Sequence, residues 1–418
     1  QARIHAAKAG RKMLTVDELQ LRRMFPRLNT ANLAFRNTGA LEFVECSTTW
    51  GFDQPTISQG ACLADLDNDG DLDVAVNNMN SPAGIYRNES LAPRLGVRLR
   101  GRPPNTSGAG ARITVSGGPV EQSQEMVLGG RYCSGDQAQR TFAAGSGRSM
   151  DVRVRWRSGR ETILTNIGPN RLIEIIESDG TASVSSAAPI EIGQETAGEG
   201  GLRRDRGGER VSESPALRFV DVSSAIRHVH VDEPYDDFGR QPLLPRKLSQ
   251  LGPGAAWWDM DGDGRDDLVI GGGRGGAAAL FLNLGDDRFK RSTHEAWRRA
   301  LDRDMAGLAG IAPGELLGAM ANYEDGVTNG VGVAVWRKEV STGVLPLAPA
   351  SFGPIAVADF DGDGDLDLFV GARAGAGRYP EAVASALWRR EGAGFELDSE
   401  NTARLPQGLV SSAIWTEL

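Results

Sequence analysis

A nine-residue acidic loop occurs three times in this chain, and no other feature narrows its fold as much. The copies are Asp65-Leu-Asp67-Asn-Asp69-Gly70-Asp71-Leu-Asp73, Asp259-Met-Asp261-Gly-Asp263-Gly264-Arg265-Asp-Asp267 and Asp359-Phe-Asp361-Gly-Asp363-Gly364-Asp365-Leu-Asp367. Carboxylates recur at loop positions 1, 3, 5 and 9. Glycine holds position 6, where the backbone takes a conformation that a side chain obstructs. Without a cation, acids packed this densely repel one another. Hard oxygen donors at that density suit calcium, which takes six to eight oxygen ligands. Each loop therefore reads as a calcium site; a solvated acidic turn is the plain alternative.

The opening of the loop is that of an EF-hand, but the rest is not. An EF-hand needs a bidentate Glu at position 12 and a helix beyond it. Position 12 here is Val76, Ile270 or Val370, inside short apolar runs with β-branched residues. Apolar residues also lead in, as Ala61-Cys-Leu-Ala, Ala255-Ala-Trp-Trp and Ile355-Ala-Val-Ala. The unit reads as strand, calcium loop, strand. Asp73, Asp267 and Asp367 take the place of the EF-hand Glu, and the main-chain carbonyls of Asp71, Arg265 and Asp365 are expected as further ligands.

This repeat resembles the FG-GAP/VCBS family, the calcium-loop blades of integrin-α-like β-propellers. Gly252-Pro253 and Phe352-Gly353-Pro354 match the family's lead-in, and Gln59-Gly60-Ala61 matches it more loosely. The resemblance implies propeller blades and about three Ca²⁺ sites. Their ligands would come from Asp65, Asp67, Asp69, Asp71 and Asp73; from Asp259, Asp261, Asp263, Arg265 and Asp267; and from Asp359, Asp361, Asp363, Asp365 and Asp367.

At 418 residues the chain is too long for one ordinary core, and 54 glycines among many short apolar runs favour an all-β, turn-rich fold. The formal charge is −9, but fifteen acids lie inside the three loops; three Ca²⁺ would return six positive charges and leave it near −3. That argues against a nucleic-acid partner. No apolar run approaches the ~20 residues of a membrane span. Cys46, Cys62 and Cys133 show no metal-ligand spacing. Three buried free thiols are expected, with a Cys46–Cys62 pair as the alternative.

In order, residues 1–26 carry apolar positions at helical spacing and read as a helical segment. Residues 27–94 read as the last blade or so of a propeller, with a hairpin around Thr38-Gly39. Residues 95–178 change to strands that alternate with one charged face, the texture of a small antiparallel β-sandwich. Here Asn105-Thr-Ser-Gly108-Ala-Gly110-Ala-Arg, Gly129-Gly-Arg-Tyr132-Cys-Ser134, Val154-Arg-Trp156-Arg-Ser-Gly159 and Asn166-Ile-Gly-Pro-Asn170 resemble the ASPIC/UnbV domain. That domain commonly follows FG-GAP blades, as in proteins similar to cartilage acidic protein and in large bacterial FG-GAP/UnbV proteins. Arg157 departs from its pattern by standing where Pro is expected, and Phe142-Ala-Ala-Gly145 is a degraded form of Phe-Gly-Leu-Gly; neither position looks chemical.

Residues 179–215, Ser, Gly, Glu and Arg with scarcely an aromatic, have the composition of a disordered linker. Residues 216–418 read as a second propeller segment. His228-Val-His230-Val-Asp232 puts two imidazoles and a carboxylate on one strand face, a possible transition-metal site beside a default structural cluster. A helix is expected over Arg291 to Ala306, then a blade whose loop, Asn322-Tyr-Glu-Asp-Gly326, has lost the calcium pattern. Gly408 to Leu418 has the lead-in texture of another calcium loop, with Glu417 at position 1. Flanking blades of the same parent protein are therefore expected beyond both ends, and whether the blades form one ring or two is open.

Gly271-Gly-Gly273-Arg-Gly-Gly276 matches a dinucleotide fingerprint, but the next residues read as a strand where a helix should open, so it is taken as a blade turn. No nucleophile elbow, metalloprotease helix or phosphate loop is present. The expected function is a non-enzymatic, calcium-rigidified binding or adhesion protein for a protein or glycan ligand. Extracellular calcium fills sites of roughly 10⁻⁴ to 10⁻³ M, which places it outside the cell or on the envelope. The alternatives are an enzyme or accessory subunit acting on polysaccharide, and a spacer with calcium as a folding clip.

Overall fold

The computed structural model describes residues 28–39, 41–178, 183–189, 219–285, 288–326, 331–338, 340–346 and 350–416. The helical expectation for residues 1–26, the linker beyond 190 and Glu417 lie outside them. The fold is all-β. Four antiparallel sheets of propeller-blade type pack side by side, and each is led by the strand that precedes its first turn. Those leading strands are Ser58–Ala64, Ala255–Trp258, Asp304–Ala312 and Ser351–Ala358.

Sheet one runs Ser58–Ala64, Asp73–Asn78, Gly84–Asn88, and its outer strand is Phe219–Asp221, from beyond the sandwich. Sheets one and two also share a core, in which Ala64, Ala75 and Ile85 meet Trp257, Leu268 and Phe281. The acidic-loop segments before and after the sandwich thus belong to one stack of sheets. Apolar runs of four to eight residues, buried on both faces, are what a sheet between two others demands.

The sandwich pairs two four-stranded sheets over a core that includes Val97, Ile113, Phe142, Val152, Trp156 and Ile173. One expectation fails within it: Arg94–Arg100 and Arg171–Ile176 run parallel, so the sandwich is not wholly antiparallel. Part of the expected linker is also structured, since Ser183–Pro189 pairs with Arg171–Ile176 as an edge strand. A strand at an edge is held by main-chain bonds, which low-aromatic composition does not forbid.

Between the sandwich strands, residues 128–139 leave that domain and cross the leading strands of all four propeller sheets. Asp136 Oδ1 accepts from Leu63 N at 2.9 Å in sheet one, and Gly135 exchanges bonds with Ala255 and Trp257 in sheet two. Cys133 O accepts from Leu308 N in sheet three, and Leu128–Gly129 pairs with Val357 and Ala356 in sheet four. The segment comes so close that a Cβ on Gly254 would lie 1.9 Å from Cys133 O.

Other expectations change. No helix spans Arg291 to Ala306; a strand ends at Arg291, a 3-10 turn covers Glu295–Trp297 and a strand starts at Asp304. Backbone bonds between Leu301 and Gly275 and Gly276 hold that segment to the preceding turn instead. Residues 408–416 form no strand: Val410 N donates to Ala372 O and Trp415 stacks on Phe360, so they lie along sheet four. All three cysteines are free as expected, but Cys46 is only half-buried. Among the described residues no helix is long and apolar enough to cross a membrane.

Candidate metal centre

The three acidic loops fold alike, from the same internal hydrogen bonds. The position-one carboxylate accepts from the position-six N–H in each: Asp65 from Gly70 at 3.0 Å, Asp259 from Gly264 at 3.0 Å, Asp359 from Gly364 at 3.2 Å. The position-three acid accepts from position five, and position five from position seven, as in Asp261 from Asp263 N and Asp263 from Arg265 N. Position six is left-handed throughout, at φ +85, +88 and +96. Position four is left-handed too, with Asn68 at φ 60, Gly262 at 85 and Gly362 at 83. The recurring Asn or Gly at that position is the sequence signal for it, since those residues enter this conformation most readily.

Those turns aim carboxylates inward. One oxygen from each of Asp65, Asp67 and Asp69 lies within 4.8 Å of the others; the same holds for Asp259, Asp261 and Asp263, and for Asp359, Asp361 and Asp367. The position-nine acids tie each loop to its sheet. Asp73 accepts from Leu66 N and Asn88 N, Asp267 from Met260 N and Asn283 N, and Asp367 from Phe360 N and Arg390 N, all at 2.6–3.0 Å. Burial pushes Asp267 up to about 7 and Asp367 up to about 6, and it raises Asp65, Asp73 and Asp259. An all-oxygen donor set whose acids are reluctant to ionise unaided fits a hard divalent cation.

Their surroundings differ. Loop one lies under the sandwich, where Gln139 Nε2 donates to Asp65 Oδ2 at 2.9 Å and Thr141 Oγ1 to Gly70 O at 2.8 Å. The Arg94 guanidinium, 4 % exposed, reaches Asp69 Oδ2 at 2.7 Å and Asp71 Oδ2 at 3.3 Å. In loops two and three, Asp261, Asp263, Asp361 and Asp363 are exposed. Arg157, the residue that departs from the ASPIC/UnbV pattern, donates to Asp359 O at 3.1 Å and so joins the sandwich to loop three.

The blade without an acidic loop is sheet three, and the lost pattern lies elsewhere in it than expected. Asn322 to Gly326 follows the second strand, Glu315–Ala321; the acidic-loop position between the first two strands is the turn Pro313-Gly314. Glu315 then occupies the place of the position-nine acids, opposite Ala312 as Asp267 is opposite Trp258. Arg390 holds it through two bonds at 2.9 and 3.1 Å, and Arg337 adds a third at 3.2 Å.

His228, His230 and Asp232 do not converge on one site. His228 packs edge-on against Phe281, while His230 Nδ1 accepts from Asn80 N at 3.2 Å. Burial lowers both imidazoles to about 4. Asp232 instead joins Asp304 and Glu324 in a buried carboxylate group, where Arg274 pairs with Glu324 and donates its backbone N–H to Asp304 at 2.8 Å. Gly271 to Gly276 forms the turn between Asp267–Ile270 and Ala279–Asn283, so no helix opens there for a dinucleotide.

Comparison with known proteins agrees with this architecture. The ASPIC and UnbV family profile matches residues 101–182, which include the segment crossing the propeller sheets and all the sandwich strands except Arg94–Arg100 and Ser183–Pro189. The FG-GAP repeat profile matches residues 355–383, the third loop with its flanking strands. The chain thus carries an ASPIC/UnbV region and an FG-GAP repeat. No curated protein matches it.

Proposed function

We propose that this is a calcium-binding module of the cell exterior or envelope, whose blades are stiffened by Ca²⁺ so that the propeller can hold a protein or glycan ligand. The single observation that carries the reading is the common loop geometry, three convergent carboxylate sets built on one hydrogen-bond pattern. Asp65, Asp67, Asp69 and Asp73, Asp259, Asp261, Asp263 and Asp267, and Asp359, Asp361, Asp363 and Asp367 would supply side-chain oxygens. The carbonyls of Asp71, Arg265 and Asp365 would complete the shells. Millimolar calcium outside cells suits open loops such as two and three, which is the ground for the location.

The test is a thermal melt across a calcium titration against chelator, on the wild type and on Asp261→Ala with Asp361→Ala. Calcium at about 100 times Kd should add about 2.7 kcal/mol per linked site, seen as a rise in Tm that the double variant largely loses. An unchanged Tm would refute calcium at these loops.

The carboxylate group at Asp232, Asp304 and Glu324 favours the second reading, a polysaccharide-acting enzyme, because it lies outside the calcium loops. All three acids are buried and Arg274 already engages two of them, which is how a structural polar cluster is built. The folding-clip reading draws its support from loop one, which is covered by the sandwich.

A further inference from the structure

Strand direction in sheet two separates its two ends. Ala255–Trp258 runs toward the acidic loop, Asp267–Ile270 away from it, Ala279–Asn283 back and Phe289–Arg291 away again. Residues 291–298 and the turn containing Ala277 therefore share the end remote from the calcium loop. There Ala277, Arg291, Ser292, Thr293 and Arg298 line a cavity of about 310 Å³.

Two guanidiniums on one small cavity repel each other unless an anion lies between them. Arg291 has the face of Phe281 at 5.9 Å, and among the described residues neither Arg291 nor Arg298 has a carboxylate partner. Glu295, in the same turn, pairs with neither. The surrounding stretch, 288–303, holds six basic side chains against two acidic ones in a chain of charge −9. Asp286, Asp287 and Asp304 flank the stretch and Arg303 pairs with Asp325, so the positive charge that draws an anion is local to the cavity wall.

We propose that this cavity binds a sulfate or carboxylate group on one sugar of an acidic polysaccharide. The inference names a ligand class for the glycan reading above and rests on it. Guanidiniums suit such groups because their forked N–H donors match two oxygens at once. A volume at the low end of ligand pockets, about 300 Å³, takes one sugar unit. Lys290 and Arg299 lie next to the lining residues in sequence and extend the positive charge to further acidic groups of the same polymer. The lining holds no aromatic face of the kind single-stranded nucleic acid stacks on.

The experiment measures binding of a sulfated polysaccharide, its desulfated and carboxyl-reduced form, and phosphatidylserine vesicles by the full chain, with calcium and with chelator. Arg291→Ala with Arg298→Ala should weaken binding of the sulfated polymer at least tenfold while leaving the melt unchanged. Arg153→Ala with Arg155→Ala, the same charge loss on the sandwich, should leave it within twofold. The uncharged polymer and the vesicles should not bind. Equal losses in the two double variants would reduce the effect to general charge and overturn the site, and vesicle binding of similar strength would overturn the glycan source. A calcium-dependent Tm with no binding of the sulfated polymer would overturn this inference and leave the calcium reading intact.

Discussion

Loop one and loop two share their internal hydrogen bonds and differ in what lies above them. In loop one Asp65 and Asp71 are 3 and 5 % exposed, and Arg94, Gln139 and Thr141 from the sandwich close over them. In loop two the acids at positions three and five face solvent, and Arg265, within the loop, pairs with Asp263. Sheet three supplies an intermediate: its loop is cut to Pro313-Gly314, yet an acid remains at the start of the second strand and arginines neutralise it. The position-nine acid is thus the constant part, since it ties loop to sheet. Guanidiniums neutralise the acid of sheet three and, through Arg94, Asp69 and Asp71 of the covered loop, whereas the exposed acids of loops two and three are open to a cation.

The largest expected effect is a pH dependence that the covered loop shares with the open ones, since burial also pushes Asp71 up to about 9 and raises Asp73. Folded Asp267 and Asp367 hold their protons up to about 7 and about 6, against a usual value of 3.8. The folded state then binds more protons than the unfolded one above pH 3.8, so stability falls as pH rises from about 4 to about 7. In chelator this loss should be on the order of several kcal/mol, and saturating calcium should flatten it, because a bound cation favours the ionised form. Urea unfolding at a series of pH values measures it. The same slope with and without calcium would mean that no cation reaches any of the three loops.

Next is Arg94→Ala, which leaves Asp69 and Asp71 covered without their guanidinium. Removing one partner of a buried pair costs about 3–5 kcal/mol. Arg265→Ala, at an exposed pair, should cost about 0–1 kcal/mol. If the two variants unfold at the same urea concentration, the contrast between the loops is not energetic. Glu315→Gln comes third, at about 1.5–3 kcal/mol, because it weakens charged hydrogen bonds to Arg390 and Arg337. Its effect should be indifferent to calcium; a calcium-dependent one would place a cation at sheet three as well.

Much of this is legible in the chain because it is local. Acids at alternate positions, glycine at position six and β-branched runs on either side define strand, loop and strand within about twenty residues, and the sheets follow. Sequence separation hides the rest. Cys133 meets Leu251 and Leu308, and Arg157 meets Asp359, across more than a hundred residues. No period or turn signal carries such contacts. A trace survives in Gly254, which has no room for a Cβ beside Cys133 O, but a lone glycine before a strand reads equally as part of a turn. Glu315 escapes notice because the loop that would announce it is absent.

Position four gives the smallest and most local test. Gly262 stands at φ +85, and a Cβ there would have nothing within 4 Å, so a side chain at this position meets backbone strain alone. Gly262→Ala should cost about 1–2 kcal/mol. Gly262→Asn should cost less, because Asn68 already takes that conformation in loop one at φ 60 and asparagine adopts it more readily than alanine. If strain is the whole cause, the gap between the two variants should be the same with calcium and in chelator. A gap that widens on adding calcium would mean that position four also shapes the cation's shell, and that loops one and two differ inside as well as in their surroundings.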